Sequence, residues 1–240
     1  MNIEEMHIIF RELAQQMGMQ TTRAILSEDI DICLNSAIID KTKQLIAESF
    51  GGISHNDKVA RNNVGISPIN GLRTLYRSLA TTDIRSVSVT EILPHQLNIP
   101  IKTTTGNGTT NIMLFTSFSV SYGDNLIYDC RIIENEDLGQ TLRDICNRPS
   151  KDAPICVINS TIGDNIIIHL YTGRKVMPKP TMVRYTCIVE PAKVYYDEVD
   201  ESKCVDCDLP TYLHMDIVKL AVAVYLQSVG AINSTNKSKD

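Results

Sequence analysis

The sequence predicts an α+β fold, with helices from both chain ends packed together and a central, mostly antiparallel β region between them. Three observations predict it. Apolar residues recur at helical spacing in the first fifty residues. The period switches to strict alternation, with β-branched residues and turn signals, from about residue 84. Helical spacing returns near residue 209. Periods of 3.6 and 2 are the primary signatures of helix and half-buried strand. The expected division is a helical region over 1–83, a β-rich region over 84–200, and a C-terminal helix with a disordered tail over 201–240. The two helical ends are expected to form one domain.

The first helix is expected over 3–17. Met6, Ile9, Phe10, Leu13 and Met17 carry the apolar stripe, Asn2 and Glu5 have capping-box spacing, and Gly18 supplies the stop. A longer helix is expected over 28–50, opened by Ser27 as N-cap. Glu28, Asp29 and Asp31 load its first turns with negative charge, which suits the helix dipole. Ile30, Leu34, Ala37, Ile38, Leu45 and Ile46 form its stripe, and Gly51 and Gly52 end it. Residues 51–68 read as a loop or arm, and 69–80 as a short helix.

Within the β region, Phe118, Val120 and Tyr122 alternate with Ser117, Ser119 and Ser121. Gly123-Asp124-Asn125 follows, and then Leu126, Tyr128, Cys130 and Ile132 alternate again, so a hairpin is expected to turn at Asp124. A second hairpin is expected at Asp164, in Gly163-Asp164-Asn165. The apolar run Ile166 to Ile168 beyond it predicts a strand buried on both faces. Between the hairpins, ENEDLGQTLRDIC reads as a short helix ending before Arg148-Pro149. The last helix is expected to open near Pro210. Its stretch from Ile217 to Leu226 has Lys219 as its single charge, so it must be covered on more than one side, by its own chain or by a neighbouring subunit.

Composition bounds the function. The chain has 240 residues, no Trp, 5% aromatic residues and a formal net charge of −5. Few aromatics weigh against base stacking and sugar binding, and the charge weighs against a chain-wide nucleic-acid surface. No run reaches the roughly 18 apolar residues of a membrane span. The opening MNIEEMHIIF lacks the basic start and unbroken apolar run of a secretory signal, so synthesis and assembly in cytoplasm are expected. Seven cysteines, several inside apolar runs, read as reduced thiols.

No phosphate-loop, zincin or nucleophile-elbow pattern occurs. The sharpest chemical candidate is Cys204-Val205-Asp206-Cys207 with His214 beyond it. Its C-x-x-C spacing suits zinc, yet no second pair supplies the remaining ligands, and the flanking carboxylates oppose a reactive thiolate. The pair is therefore expected to be non-catalytic, with no cofactor and no metal. Asp197, Glu198, Asp200, Glu201, Asp206 and Asp208 lack the EF-hand register and read as a solvated loop or a surface for a basic partner. His169 reads as a hydrogen-bonded core residue and His214 as the start of the last helix. Two basic clusters stand out: Lys58, Arg61, Arg73, Arg77 and Arg85, then Arg174, Lys175, Lys179 and Arg184. They read as ordinary surface charge, or as contacts to an acidic partner or to DNA phosphates.

Two segments carry a resemblance. FRELAQQMGMQTTRAILSEDIDICLNSAIIDKTKQLIAE, residues 10–48, resembles the opening of connector-type structural proteins of crAss-like tailed phages. CDLPTYLHMDIVKLAVAVYLQ, residues 207–227, is similar to the closing helix of phage head-completion and adaptor proteins. The resemblance implies a non-enzymatic virion protein of a podovirus-type bacteriophage. Such a protein is a homo-oligomeric ring at the portal, a head-tail connector that meets portal and other tail proteins, lines the DNA path and touches no membrane. In such a ring the contacts are heterologous and closed by rotation. From the helix patterns, Val218, Val222, Tyr225 and Lys41 are the candidate interface residues. Other virion roles, such as a minor capsid or tail-hub subunit, and a thiol or metal enzyme at Cys204/Cys207, are the alternatives.

Overall fold

The computed structural model describes residues 1–16, 25–50, 70–86, 96–102, 104–105, 108–109, 111–124, 126–162, 165–173 and 179–237. The chain divides into two compact units. The described residues of the helical unit are 1–16, 25–50, 70–75 and 191–237; those of the sheet unit begin at 76 and end at 190. The fold is α+β, with terminal helices and a central, largely antiparallel sheet.

The helical unit is built on α1 (Ile3–Gln16), α2 (Ser27–Phe50) and α4 (His214–Lys237). The capping box forms as its spacing predicts. The Glu5 amide donates to Asn2 Oδ1 at 2.8 Å, and the Asn2 amide donates to Glu5 Oε2 at 3.1 Å. Met17 and Gly18 lie outside the described residues. Ser27 opens α2, and its hydroxyl donates to Glu198 across the unit. Ile30, Leu34, Ala37, Ile38 and Leu45 are buried along α2. A 3₁₀ turn at Thr211–Leu213 leads from Pro210 into α4, and His214 is the first residue of that helix. α4 packs against both α1 and α2. That contact answers the question its composition raises: the chain's own helices cover the apolar helix on two sides. The helix also continues to Lys237, through residues whose polar composition predicts a structureless tail.

The expected loop over 51–68 lies outside the described residues with residue 69; residues 70–80 correct the expected helix. A 3₁₀ turn at Arg73–Leu75 gives way to a strand, β1 (Tyr76–Thr81). The cause is tertiary: β1 pairs antiparallel with β10 (Met182–Val189), from Tyr76 opposite Ile188 to Thr81 opposite Val183. Ladder pairing outweighs the weak local preference of YRSLAT.

The remaining strands are β2 (Arg85–Ser86), β3 (Gln96–Lys102), β4 (Thr104–Thr105), β5 (Gly108–Thr109), β6 (Ile112–Ser121), β7 (Tyr128–Ile133), β8 (Ile155–Ile162) and β9 (Asn165–Tyr171). Eight of the ten described strands form one sheet in the order β1-β10-β6-β7-β8-β9-β3-β2, and β4 and β5 pair with each other. β7 is the handover strand. Its first half pairs antiparallel with β6, and Arg131 to Ile133 pair parallel with β8. The crossover helix that a parallel pair requires is α3 (Asn135–Arg143), where the sequence places a helix. Leu138 of α3 packs on Ile155, Val157 and Tyr171.

The β6–β7 hairpin turns at Asp124, as expected. Gly123 sits at φ 86°, which favours glycine, and Asp124 Oδ1 accepts the Leu126 amide at 3.3 Å. Strand β7 starts only at Tyr128, so Leu126 belongs to the turn and is 56% exposed. Phe118, Val120 and Tyr122 are buried and Ser117 is exposed, as their alternation predicts. β8 and β9 pair antiparallel up to Ile162 opposite Asn165. Gly163 and Asp164 themselves lie outside the described residues. In β9 only Ile168 of the Ile166–Ile168 run is fully buried; its two predecessors are half-buried, which corrects the reading of a strand covered on both faces.

Candidate functional site: an acidic ribbon fixed on the helical unit

The most elaborate polar construction in the described residues is the segment over 191–210, which runs into α4. Its backbone folds into a two-stranded ribbon closed by reciprocal bonds between Tyr195 and Val205. The Tyr195 amide donates to the Val205 carbonyl at 3.2 Å and the Val205 amide to the Tyr195 carbonyl at 2.8 Å. Within the loop, Asp197 Oδ1 accepts the Val199 and Asp200 amides, and Asp200 Oδ1 accepts the amide and hydroxyl of Ser202. Lys203 pairs with Asp200 at 3.1 Å. These contacts hold the Asp200 carboxyl below its usual range, the Ser202 hydrogen bond first and Lys203 next. The thiol of Cys204 closes the loop base through the amide and carbonyl of Asp197.

Three anchors fasten the ribbon to the helices. Asn35 on α2 behaves as a strand neighbour. Its side-chain carbonyl accepts the Val194 amide at 2.8 Å, and its NH₂ donates to the Val194 carbonyl at 3.0 Å and the Asp31 carbonyl at 2.8 Å. Asp31 joins three elements. One oxygen meets His7 Nε2 at 2.8 Å and the other accepts the Tyr196 amide at 3.2 Å. The His7 ring lies 4.7 Å from the Tyr196 ring and is only 1% exposed. Nearer the surface, Glu198 Oε1 accepts from the Ser27 hydroxyl at 2.6 Å and from Arg11 at 3.3 Å. Those two donors, Ser27 first, hold the Glu198 carboxyl below its usual range.

The other end of the segment is equally tied. Asp206 accepts the Ile3 amide at the start of α1, at 2.8 Å, and Asp208 accepts the Ala192 amide at 2.9 Å. Both ring nitrogens of His214 face carbonyl oxygens, Leu209 at 2.8 Å and Met1 at 3.1 Å. Burial pushes the Cys207 thiol up to about 11; the neighbouring Asp208 and Asp206 push the same way, against a hydrogen bond from the Leu209 amide. Five of the six carboxylates read as a solvated loop therefore serve as acceptors within the fold. Glu201 is exposed, with no bond to its carboxylate among the described residues.

His7 and Asp31 have the look of a base and its orienting acid, and both are buried. No group of three or more metal-ligating side chains occurs among the described residues. Beside its exposed charges, the ribbon offers apolar side chains outward. Val199 at its tip is 96% exposed, and the cross-strand pair Tyr195 and Val205 are 46% and 39% exposed.

The candidate interface residues fall elsewhere. Val218 and Val222 are fully buried in the helical unit, so their side chains have no surface to give a neighbour. Tyr225 is half-buried with its ring edge-on to Phe10 at 5.7 Å, and Lys41 pairs with Asp216 of α4 at 3.6 Å. Among the basic residues, Arg73, Arg77, Lys179 and Arg184 are exposed, while Arg85 pairs with Asp83 at 2.9 Å. Lys58, Arg61, Arg174 and Lys175 lie outside the described residues. His169 is hydrogen-bonded between Gln96 and Asn159, as expected, but it is half-buried and not a core residue.

Sequence reasoning missed His7 and Asn35, and read Asp31 only as a dipole charge. The signal was present. His7 falls on the buried stripe of Met6, Phe10 and Ala14, and Asp31 on that of Ile30, Leu34 and Ile38. A polar residue at a buried helical position needs a partner. A scan against protein-family models finds none that matches this chain, and a search of curated proteins finds no similar sequence.

Proposed function

We propose that this chain is a non-catalytic subunit of a symmetric virion assembly, a ring at the portal and head-tail junction of a tailed phage. One observation carries the reading beyond the sequence. The two segments that resemble phage connector proteins, 10–48 and 207–227, belong to the same compact unit, where α4 packs on α1 and α2. Similarity at both ends of a chain means more when the ends build one structural piece. The ring lines the DNA path in this reading, and exposed cations such as Arg77 and Lys179 make sequence-independent phosphate contacts.

The rival thiol enzyme draws less support. A thiol raised to about 11 stays protonated near neutral pH, and the thiolate is the nucleophile. A minor capsid or tail-hub subunit differs only in neighbours. The test is the molar mass of the purified chain by light scattering, with metal analysis on the same sample. A large discrete oligomer without stoichiometric metal is expected. A monomer carrying one zinc per chain overturns the reading in favour of the enzyme.

A further inference from the structure

We propose that Tyr122, Tyr128 and Asp124 form a binding cage for a primary ammonium group, that the chain's own Lys151 fills it, and that this contact latches residues 147–154 as a strap beside strand β7. The site lies wholly within the sheet unit and stands apart from the assembly reading.

Strand alternation builds the cage. Tyr122, just past the end of β6, continues the buried face of Phe118 and Val120. Tyr128 stands opposite Val120 on β7. The two rings therefore meet, edge-on at 71° with centroids 5.4 Å apart. Asp124 closes a third side from the hairpin turn. Its Oδ1 accepts the Leu126 amide, and its Oδ2 accepts the Tyr128 hydroxyl at 2.9 Å. Tyr122 is only 9% exposed. Each wall is thus held by packing or bonds that do not involve Lys151, so the cage is ready before its occupant arrives.

The occupant comes from a segment without helix or strand. Lys151 Nζ lies 5.3 Å from both ring centroids and 3.0 Å from Asp124 Oδ2. Ring faces attract a cation, and the carboxylate supplies the countercharge and an acceptor. The Lys151 hydrogen bond is the chief cause holding the Asp124 carboxyl below its usual range, with burial acting against it. A compact ammonium on a four-carbon stem suits such a site, so the ligand class is the primary alkylammonium of a lysine or a small amine.

The strap follows from where its ends are tied. Strand β8 joins β7 only from Ile155, opposite Arg131. Both ends of 147–154 return to that same arginine. The Arg131 guanidinium donates to the side-chain carbonyl of Asn147 at 3.3 Å and to its backbone carbonyl, and the Arg131 amide donates to the Pro154 carbonyl at 2.9 Å. Between the ends, the Ser150 amide donates to the Ala153 carbonyl at 3.2 Å and the Ala153 amide to the Ser150 hydroxyl at 3.1 Å. Lys151 sits inside that small loop, and its ammonium carries the tip of the strap to the β6–β7 turn.

Two readouts on the full chain test strap and cage separately. In Lys151→Ala the sheet's circular dichroism should be unchanged, while the Ser150 and Ala153 amides exchange about tenfold faster than in the parent. Unchanged exchange overturns the latch. The emptied cage should then bind n-propylammonium, read as saturable shifts of the Tyr122 and Tyr128 ring signals in magnetic resonance. The parent chain should show no such shift, because Lys151 already fills the site, and Asp124→Asn added to Lys151→Ala should abolish it. The cage is overturned if Lys151→Ala shows no saturable shift, if sodium chloride at equal ionic strength reproduces it, or if the parent binds equally well. Should Lys151→Ala fail to fold, Lys151→Met keeps the stem without the charge, and a strap as well protected as the parent's overturns the proposal.

Discussion

Helix α4 and the ribbon before it are neighbours in sequence and opposites in outcome. α4 is the most apolar helix of the chain, and its own unit absorbs it: Ile217, Val218, Ala221 and Val222 are all fully buried. The ribbon is the most acidic stretch, yet Tyr195, Val199 and Val205 on it are left outside, Val199 at 96% exposure. The lesson concerns where to look for an assembly surface. A helix that is apolar all round demands cover, but cover from its own chain is the first solution available, and here α1 and α2 provide it. An exposed apolar side chain on a segment rigidly held by polar anchors is the more informative sign.

The contrast can be broken most forcefully at Val222. Replacing it with Asp puts a carboxylate into a fully buried site, and a cost above about 4 kcal/mol is expected. The cooperative loss of helical circular dichroism should move to far lower denaturant. A well-folded V222D chain would show that α4 is not the core of the helical unit. Next comes the His7–Asp31 pair. Asp31→Ala leaves His7 and the Tyr196 amide without their acceptor and should cost about 3–5 kcal/mol. Limited proteolysis within 196–204 reads whether the ribbon comes loose, and unchanged protection contradicts the anchoring role.

Asn35→Ala sharpens the same point at a smaller cost, about 1–3 kcal/mol, because it strands both backbone groups of Val194. Smaller again is the surface anchor at Glu198. Its folded-state carboxyl lies below the ordinary value. Its contribution is therefore complete above the unfolded-state value and is lost as pH falls through the depressed folded one. Proteolytic sensitivity of the ribbon should rise in that acid window, and Glu198→Gln should lose part of that dependence, Asp200 supplying the remainder. The smallest effect belongs to the thiols. Cys204→Ser with Cys207→Ser should change stability by under about 1 kcal/mol, with assembly intact; loss of the fold on chelation would contradict this.

Much of the local structure was legible in the sequence because its causes are local. Asn2 and Glu5 cap α1, Gly123 and Asp124 turn the β6–β7 hairpin, and ENEDLGQTLR forms α3, each from residues a few positions apart. Strand β1 was not legible. YRSLAT is exposed along most of its length, so it shows no buried alternation, and it becomes a strand only because β10 lies beside it. The ribbon's anchors were hidden for a related reason. His7, Asp31, Asn35 and Val194 meet across long stretches of chain, and a single sequence shows such a network only as polar residues out of place on apolar stripes.

Hydrogen exchange followed through dilution of the proposed assembly tests the central claim most directly. The amides of α4 from Ile217 to Val222 should keep the same protection throughout, because their cover comes from their own chain. The amides of Val199 to Ser202 should lose protection as the oligomer comes apart. Loss of protection in α4 on dilution, with the ribbon unchanged, would return the interface to the helix and contradict the account.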